Sequence, residues 1–199
     1  RLSEAGPHME AMNQAMAQTT FYGNSGLAGE EFTGLSARYS ALSGAGNSSN
    51  VINVGGIGSD NSSVWLIVWG PETVYWIYPK DSQAGLIHED LGIGDAFDGS
   101  NNRFRAYLDR WQWKCGIALK DWRYCVRICN LDISNMVAQS GAADIIEMMI
   151  KAIHRIPFMS MGRPVFYMNR TVFQMLDIAR RNEVLAGGGL TYDTVDGKP

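Results

Sequence analysis

Cysteines are the side chains of this sequence best suited to metal or redox chemistry, and there are three: Cys115, Cys125 and Cys129. Cys125 and Cys129 stand four residues apart in a strand-like stretch, so their Cα atoms should lie roughly 13 Å apart. No second Cys or His pair follows at zinc spacing. We therefore predict packed or partly exposed free thiols. The odd number argues against a full disulfide framework and favours a reducing compartment.

The three histidines, His8, His88 and His154, are isolated in sequence, and none lies in a metal-ligand pattern such as H-E-x-x-H. His88 directly precedes Glu89 and Asp90, which leaves a hydrolase with an acid–base pair as one hypothesis. His154 follows an apolar helical stretch and is predicted to cap its C-terminal end.

The glycine-rich run Gly55–Ser59 (GGIGS) resembles a phosphate-binding loop only in its glycine content. The Lys-Ser/Thr pair of a P-loop is missing, so a turn is the better interpretation. There is no G-x-S-x-G, and no cysteine has a catalytic sequence context. We therefore predict no catalytic, cofactor-binding or metal-binding residue, and a protein that is not an enzyme.

Tryptophans could also form a site, because an exposed row of them is typical of carbohydrate binding. There are six: Trp65, Trp69, Trp76, Trp111, Trp113 and Trp122. Burial in a core or an interface is the commoner fate of aromatic side chains. The alternative function is thus an aromatic-rich carbohydrate-binding or adhesion β-module. N-glycosylation patterns at Asn47, Asn61 and Asn169 lack a secretory context.

A helix is predicted first, over Leu2–Thr20, with methionines and alanines on one face. It should end in a left-handed cap at Gly23 or Asn24. The stretch FYGNSGLAGEEFTGL, Phe21–Leu35, then folds the chain back. Unbranched methionines suit an adjustable contact surface on the helix.

The middle of the chain is β-rich. Val64–Trp69 and Val74–Tyr78 predict a hairpin, and at least one of them should be buried on both faces. Pro79–Ser100, with many Gly and Asp residues, predicts a loop-like excursion or flap. Tyr107–Leu119 and Trp122–Cys129 predict two more strands.

The last third has helical periodicity. Ala142–Ile156 predicts a helix capped by Ser140, and Thr171–Arg181 a helix capped by Asn169. Arg163–Met168 between them predicts a short buried strand. A glycine run, Gly187–Gly189, is predicted to be a mobile loop.

These elements predict an α+β fold in three parts: a helix and hinge (1–50), a β-rich body (51–135) and a helix–strand–helix part (136–199). The 199 residues are 46% hydrophobic and 19% charged, which is ordinary for soluble proteins. The net charge of -3 does not predict nucleic-acid binding. No apolar run is long enough for a transmembrane helix. The start within a helical pattern and the stop after an Asp-Gly turn suggest a piece of a longer polypeptide.

Four long runs carry a family resemblance: SDNSSVWLIVWGPETVYWIYPK, AGLIHEDLG, DWRYCVRICNLD and MGRPVFYMNRT. With the order of helix, glycine turn, strands and helix–strand–helix, they resemble the major capsid proteins of tailed bacteriophages, which have the Hong Kong 97-like fold. The resemblance spans roughly the whole chain.

The resemblance implies a non-catalytic subunit that self-assembles, as hexamers and pentamers, into an icosahedral shell around double-stranded DNA. It implies a long spine helix, with a hinge at Gly23–Gly29, and an incomplete axial domain in the last third. Scaffold, portal and decoration proteins are the implied partners. The implied location is the virion capsid, assembled in the host cytoplasm, and an arm and extended loop are expected before Arg1.

Overall fold

A computed structural model describes residues 2–137 and 145–185, without the side chains of 2–4 and 180–185. The predicted cap Ser140, the start of the predicted helix at Ala142 and the glycine run Gly187–Gly189 lie outside the described residues. Helices and strands both contribute substantially to the described chain. The predicted mixed α+β class is therefore confirmed.

The helices are α1 (Leu2–Tyr22), α2 (Leu35–Arg38), α3 (Ile133–Val137), α4 (Ile145–Arg155) and α5 (Arg170–Leu185). The strands are β1 (Val51–Asn53), β2 (Asn61–Trp69), β3 (Val74–Ile77), β4 (Leu86–Phe97), β5 (Arg103–Trp113), β6 (Gly116–Leu119), β7 (Cys125–Asp132) and β8 (Arg163–Tyr167). Short 3-10 turns lie at Gly46–Asn50, Trp122–Tyr124 and Met159–Met161.

The chain divides into two compact units. Unit 1 comprises Arg1–Leu35 and Tyr75–Ala118, and unit 2 comprises Ser36–Val74 and Leu119–Pro199. Unit 1 holds α1 and the two-stranded sheet of β4 and β5. Unit 2 holds most of a larger sheet, whose strand order is β1-β7-β2-β3-β6, with β8 also paired to β2.

The core of unit 2 is built on two central strands. β7 lies between β1, which is parallel to it, and β2, which is antiparallel. All five residues of Val64–Val68 in β2 are buried, as predicted for a strand covered on both faces. Leu66, Val126 and Ile128 contribute to one cluster with apolar side chains of α4 and α5.

Val64–Trp69 and Val74–Tyr78 form strands as predicted, but the predicted hairpin between them is wrong. β2 and β3 meet in parallel at a single residue pair, Trp69 and Val74. The reason lies in the neighbours of β2, since its two long edges already pair with β7 and β8. Only Val74 of β3 is buried, so β3 does not share the burial of β2.

The helix predicted over Leu2–Thr20 is α1, and its end near Tyr22 is also confirmed. The predicted left-handed cap is wrong, because neither Gly23 nor Asn24 has a positive φ. The helix closes instead with an ordinary hydrogen bond from Gly23 N–H to Thr19 O, 2.9 Å.

Gly23 is needed for space rather than for backbone conformation. A Cβ at this position would lie 2.5 Å from Phe32 O and 2.6 Å from Thr19 O. The chain folds back directly over the helix end, and Gly34 N–H donates to Gly23 O at 2.8 Å. The FTGL segment therefore packs backbone against backbone, which no larger residue permits.

The loop or flap predicted over Pro79–Ser100 is wrong over most of its length. Leu86–Phe97 is strand β4, the longest strand described, and it pairs antiparallel with β5. The glycines and aspartates in this stretch suggested a loop. They occupy defined positions of a hairpin instead: Gly92 sits at a register shift, and Asp98 lies in the turn.

The predicted strand Tyr107–Leu119 is divided into β5 and β6, which are separated at Lys114–Cys115. The strand predicted from Trp122 begins three residues later, at Cys125. Asp121 explains the delay, because its side chain accepts a hydrogen bond from Arg123 N–H and starts a 3-10 turn.

The C-terminal described part follows the predicted pattern with two exceptions. Four isoleucine and alanine residues fall at helical spacing in the predicted helix: Ile145 and Ala152 in α4 and Ile156 just after it are buried, whereas Ile153 is 37% exposed. β8 is half-buried, with an exposed start, rather than the buried strand predicted. The predicted cap of α5 is confirmed, since Asn169 Oδ1 accepts a hydrogen bond from Thr171 N–H at 2.6 Å.

Candidate functional site

His88, the histidine placed beside Glu89 and Asp90 by the sequence, lies on the exposed hairpin of β4 and β5. Its Nε2 is 3.0 Å from Asp109 Oδ1 on the neighbouring strand, and its ring stacks on Trp111 with centroids 4.1 Å apart. The side chains of His88 and Asp109 are 43% and 27% exposed. The carboxylate that the fold brings to His88 is therefore one that sequence proximity could not indicate.

The two carboxylates of the hydrolase hypothesis have other roles in the hairpin. Glu89 lies 3.8 Å from Arg110 in a cross-strand ion pair. Asp90 Oδ1 accepts a hydrogen bond from Gly92 N–H at 2.8 Å, which stabilises the register shift of β4. The arrangement supports strand pairing in an open ribbon rather than a catalytic pocket.

Cys125 and Cys129 are buried free thiols on β7, as predicted, and Cys115 is a half-buried free thiol. Cys129 Sγ lies 3.6 Å from Ile52 O, and burial raises its pKa. Burial raises the pKa of Cys125 to about 12. Thiols with raised pKa are weak nucleophiles at neutral pH, so β7 uses them as packing groups.

The GGIGS loop lies beside carboxylates, which is the opposite of a phosphate cradle. A Cβ on Gly58 would lie 2.7 Å from Asp60 Oδ1 and 3.1 Å from Asp132 Oδ2. Hydrogen bonds from the Ser134 hydroxyl and N–H hold the pKa of Asp60 below its usual value. The loop is a turn, as predicted, and its charge repels an anion.

The six tryptophans do not form an exposed platform. Trp65 is buried, and Trp69 is half-buried with its Nε1–H donating to the Tyr167 hydroxyl at 2.8 Å. Of the six, only Trp76 is exposed, and its ring meets Phe32 edge to face. This distribution does not favour the carbohydrate-binding alternative.

The hairpin of β4 and β5 is the most unusual surface of the described chain. None of its strand residues is buried, although the strands run for 12 and 11 residues. An isolated two-stranded ribbon is at best marginally stable in water, and exposed strand edges invite pairing. The exposed side chains of this ribbon are therefore available for contact with another surface.

One side of the ribbon's far half carries three of the exposed apolar side chains, and Phe104 lies on the other side. Ile93, Phe97 and Tyr107 are 56%, 62% and 65% exposed. The strand register places Ile93 opposite Tyr107, and alternation puts every second residue on the same side. We call this side the distal face, and its members are Ile93, Asp95, Phe97, Arg103, Arg105 and Tyr107.

Two local features of the sequence shape the ribbon, one at the register shift of β4 and one at the turn between the strands. At the register shift, Gly92 adopts a positive φ of 71°, which few other residues tolerate. At the turn, Asp98 accepts hydrogen bonds from Ser100 N–H and Asn102 N–H at 2.9 and 2.8 Å. Asn101 supplies the left-handed residue, with φ 65°. The turn therefore holds the two strands in one register.

The chain matches a known protein family over its whole length. One family model, described as major capsid protein GP7, matches residues 1–199. The chain belongs to the major capsid protein GP7 family. No curated protein matches it. Membership indicates a structural role in the virion capsid, where copies of the subunit associate with one another.

The capsid chain also has an apolar groove in unit 2. It encloses about 540 Å³ between α4, β8 and α5. Its walls include Met149, Phe166, Met168 and Leu176, with Phe173 exposed at 53%. The groove is shallow and carries a single basic side chain, Arg170, so it has the character of a packing surface.

In the described ranges 2–137 and 145–185, no helix is long and apolar enough to cross a membrane. No group of three or more His, Cys, Asp or Glu side chains within them is placed to hold a metal ion.

Sequence reasoning missed the ribbon, although a signal was present. Leu86–Phe97 contains alternating Gly92, Gly94 and Ala96, which suggest a loop when read singly. Leu108 on β5 covers this small-residue side, because a Cβ on Gly94 would lie 2.5 Å from Leu108 Cδ1. Alternation of small residues opposite large ones is the pattern that would have indicated paired strands.

Proposed function

We propose that this chain is the shell-forming major capsid protein of a tailed bacteriophage, with the Hong Kong 97-like fold. Many copies would associate as hexamers and pentamers and close into an icosahedral shell around double-stranded DNA. The observation that carries the proposal is the match of the capsid family across residues 1–199. The sequence runs that resemble tailed-phage capsid proteins support the finer assignment.

Assembly would be driven by apolar surface that stays exposed in a single copy and becomes buried between copies. The ribbon of β4 and β5 exposes three large apolar side chains on its distal face. Burying apolar surface contributes about 25 cal/mol per Å², and repetition over many subunits makes the sum large. Heterologous contacts that repeat around closed symmetry produce rings and shells.

We assign α1 to the spine helix of the shell subunit. Its 21 residues span about 31 Å at 1.5 Å per residue. In the three-part division, 1–50 is the spine and hinge, 51–135 the β-rich body and 136–199 the incomplete axial-type part. The two compact units divide the chain differently, since they alternate along it.

The hinge assigned to Gly23–Gly29 would let the spine tilt as the shell expands. Asn24 braces this segment, because its carbonyl accepts hydrogen bonds from Leu27 N–H and Ala28 N–H at 2.9 and 3.0 Å. The hydroxyls of Ser25 and Thr33 add a contact of 2.7 Å. The hinge proposal thus requires that this hydrogen-bonded turn move as a rigid body and keep these contacts. Identical helix-to-body angles in immature and expanded shells would overturn it.

The proposed subunit is not an enzyme and has no cofactor. It would enclose DNA without reading its sequence, and its net charge of -3 limits adhesion to phosphate. Scaffold and portal proteins, with decoration proteins as a further class, are the proposed partners. Assembly would take place in the cytoplasm of the bacterial host.

Electron microscopy of the full-length protein in negative stain tests the proposal. We expect closed particles of uniform diameter, and subunits arranged in rings of six and five. Persistent monomers at high protein concentration would contradict it. Tryptophan fluorescence that shifts on addition of sugars, from protein that stays monomeric, would favour the carbohydrate-binding module instead.

A further inference from the structure

We propose that the distal face of the ribbon in one copy packs against the acidic loop Leu27–Glu31 of a second copy. This inference rests on the proposed shell function and specifies a contact by which the shell forms. The loop follows α1 and contains Leu27, Glu30 and Glu31. The ribbon supplies apolar surface and a positive charge, and the loop supplies an apolar side chain and two negative charges.

The positive charge of the distal face is Arg105. The register places Arg105 directly opposite Asp95. Asp95, however, forms its ion pair with Arg103, the diagonal neighbour. Arg105 is exposed and has no ion pair or side-chain hydrogen bond within the part of the chain that the structure describes. Along β5 it lies between Arg103 and Tyr107, and the residue opposite it on β4 lies between Ile93 and Phe97.

The loop Leu27–Glu31 is the complementary surface. Leu27 is 88% exposed, among the most exposed large apolar side chains described. Glu30 and Glu31 are both exposed, and neither side chain has an ion pair in the described residues. Asp60 and Asp132 are another close pair of described acids without an ion pair, but their carboxylates are hydrogen-bonded to Ser134 and Asn135. The loop therefore offers two adjacent negative charges next to an exposed apolar side chain.

The loop is also shaped before it binds. Gly26 N–H donates to Asn24 Oδ1 at 3.0 Å, and Glu31 N–H donates to Ala28 O at 3.1 Å. A preordered loop loses less conformational entropy on association than a mobile one. Matching Arg105 with the two glutamates adds charge complementarity, which fixes the register of an interface.

A second copy is the partner that the observations favour. Family membership establishes that copies of this subunit associate. The two surfaces differ from each other, so their contact is heterologous, and one copy can continue to the next around a ring. A ribbon that bound only itself would make a closed pair and could not propagate.

Charge reversal in the full-length protein tests the contact. We expect Arg105→Glu to lower the yield of particles about tenfold, because it sets three negative charges against one another. The double variant Glu30→Arg, Glu31→Arg should lower it similarly, and all three changes together should restore most of the yield. Lys114→Glu is the matched control, since Lys114 is an exposed cation outside the distal face. It should assemble as the wild type does.

Disulfide trapping between copies gives a second readout. Leu27→Cys and Tyr107→Cys proteins are prepared separately and mixed during assembly under mild oxidation. Disulfide-linked dimers should form in the mixture and in neither protein alone. Lys114→Cys in place of Tyr107→Cys should give none. Because the two cysteines start on different copies, a linked dimer cannot arise within one chain.

The outcomes separate this inference from the proposed function. Wild-type protein that forms no particles would overturn the shell function. Wild-type particles with normal yield from Arg105→Glu, and no linked dimers, would overturn the inference alone. Yield restored only by a change at Phe173 or Asp177 would also overturn it and would move the contact to α5. Circular dichroism and thermal melting of the unassembled variants confirm that each is folded.

Discussion

Buried apolar residues are divided very unevenly between the two units. In the described part of the chain, the buried hydrophobic side chains of unit 1 are Leu35 and Ile117, and all the others belong to unit 2. Unit 2 has a sheet whose central strands are covered by helices. Unit 1 has a helix and a ribbon that are mostly exposed.

The difference indicates a division of labour within a capsid subunit. A unit with its own core can fold before assembly, because apolar burial supplies most of its stability. A unit that buries little must gain order from contacts that arise later. Substitutions in each unit test this difference.

The same substitution in the two units should have very different costs. Ile128 is fully buried in the core of unit 2, and Ile93 on the ribbon is 56% exposed. Ile128→Ala should lower the free energy of unfolding by about 3 kcal/mol, through lost burial and a cavity. Ile93→Ala should cost less than about 0.5 kcal/mol in the unassembled subunit. Equal losses in chemical denaturation would remove the distinction between the units.

A close backbone contact in unit 1 gives the second test. Gly23→Ala should cost about 1–3 kcal/mol, because its Cβ would meet Phe32 O and Thr19 O at 2.5 and 2.6 Å. Gly29→Ala is the matched control, since nothing lies within 4 Å of its Cβ position. Thermal melting followed by circular dichroism measures both. A neutral Gly23→Ala would show that the fold-back over α1 can relax.

A buried hydroxyl in unit 2 gives a smaller effect. Tyr39 is buried, and its hydroxyl donates to Trp122 O at 2.7 Å. Tyr39→Phe should lower the free energy of unfolding by about 1 kcal/mol. Tyr78→Phe, at a 56% exposed position of unit 1, should be neutral.

The pH dependence of the Tyr39 effect has a definite sign. Burial raises the pKa of Tyr39 well above its usual value of 10.0. Above pH 10 the unfolded chain loses this proton while the native chain keeps it, so rising pH favours unfolding. Wild-type stability should therefore fall more steeply above pH 10 than that of Tyr39→Phe. Parallel pH profiles from denaturant titrations would contradict this account.

The turn of the ribbon gives the smallest effect. Hydrogen bonds from the Asn102 side chain and N–H hold the pKa of Asp98 below its usual value of 3.8. Its contribution is present above the unfolded pKa and is lost as pH falls through the lower folded value. Protection of the Asn102 amide from hydrogen exchange should decrease in that window.

Asp98→Asn should remove this pH dependence, while Asp81→Asn should leave it unchanged. A wild-type ribbon whose amide protection stays constant to pH 2 would show that Asp98 does not hold the turn. The effect should be local, since Asp98 is exposed at the tip of the ribbon.

Periodicity predicted the parts of the fold in which local pattern and burial agree. The apolar stripe of α4, the cap at Asn169 and the continuous apolar run of β2 are each visible within a few residues of sequence. These features depend on neighbours in sequence, which is why single-sequence reasoning found them.

Strand pairing could not be predicted in the same way. The short spacing between Val64–Trp69 and Val74–Tyr78 favoured a hairpin, but β7 and β8 occupy both edges of β2. Likewise, Gly92 and Asp98 suggested a loop, because each is a loop-forming residue when considered alone. Their roles as bulge and turn follow only from the partner strand β5. Which strands pair with each other depends on all the strands of the sheet, so it cannot be predicted from one short stretch of sequence.

Local periodicity and long specific runs of sequence predicted most of the elements, though not β4, together with the mixed α+β class and the resemblance to capsid proteins. Only the folded structure shows which surfaces stay exposed in a single subunit. It paired His88 with Asp109 instead of its sequence neighbours. It joined Asp95 to Arg103 and so left Arg105 exposed on the distal face. Contacts between residues far apart in sequence settle which side chains remain for assembly, and only the folded chain specifies those contacts.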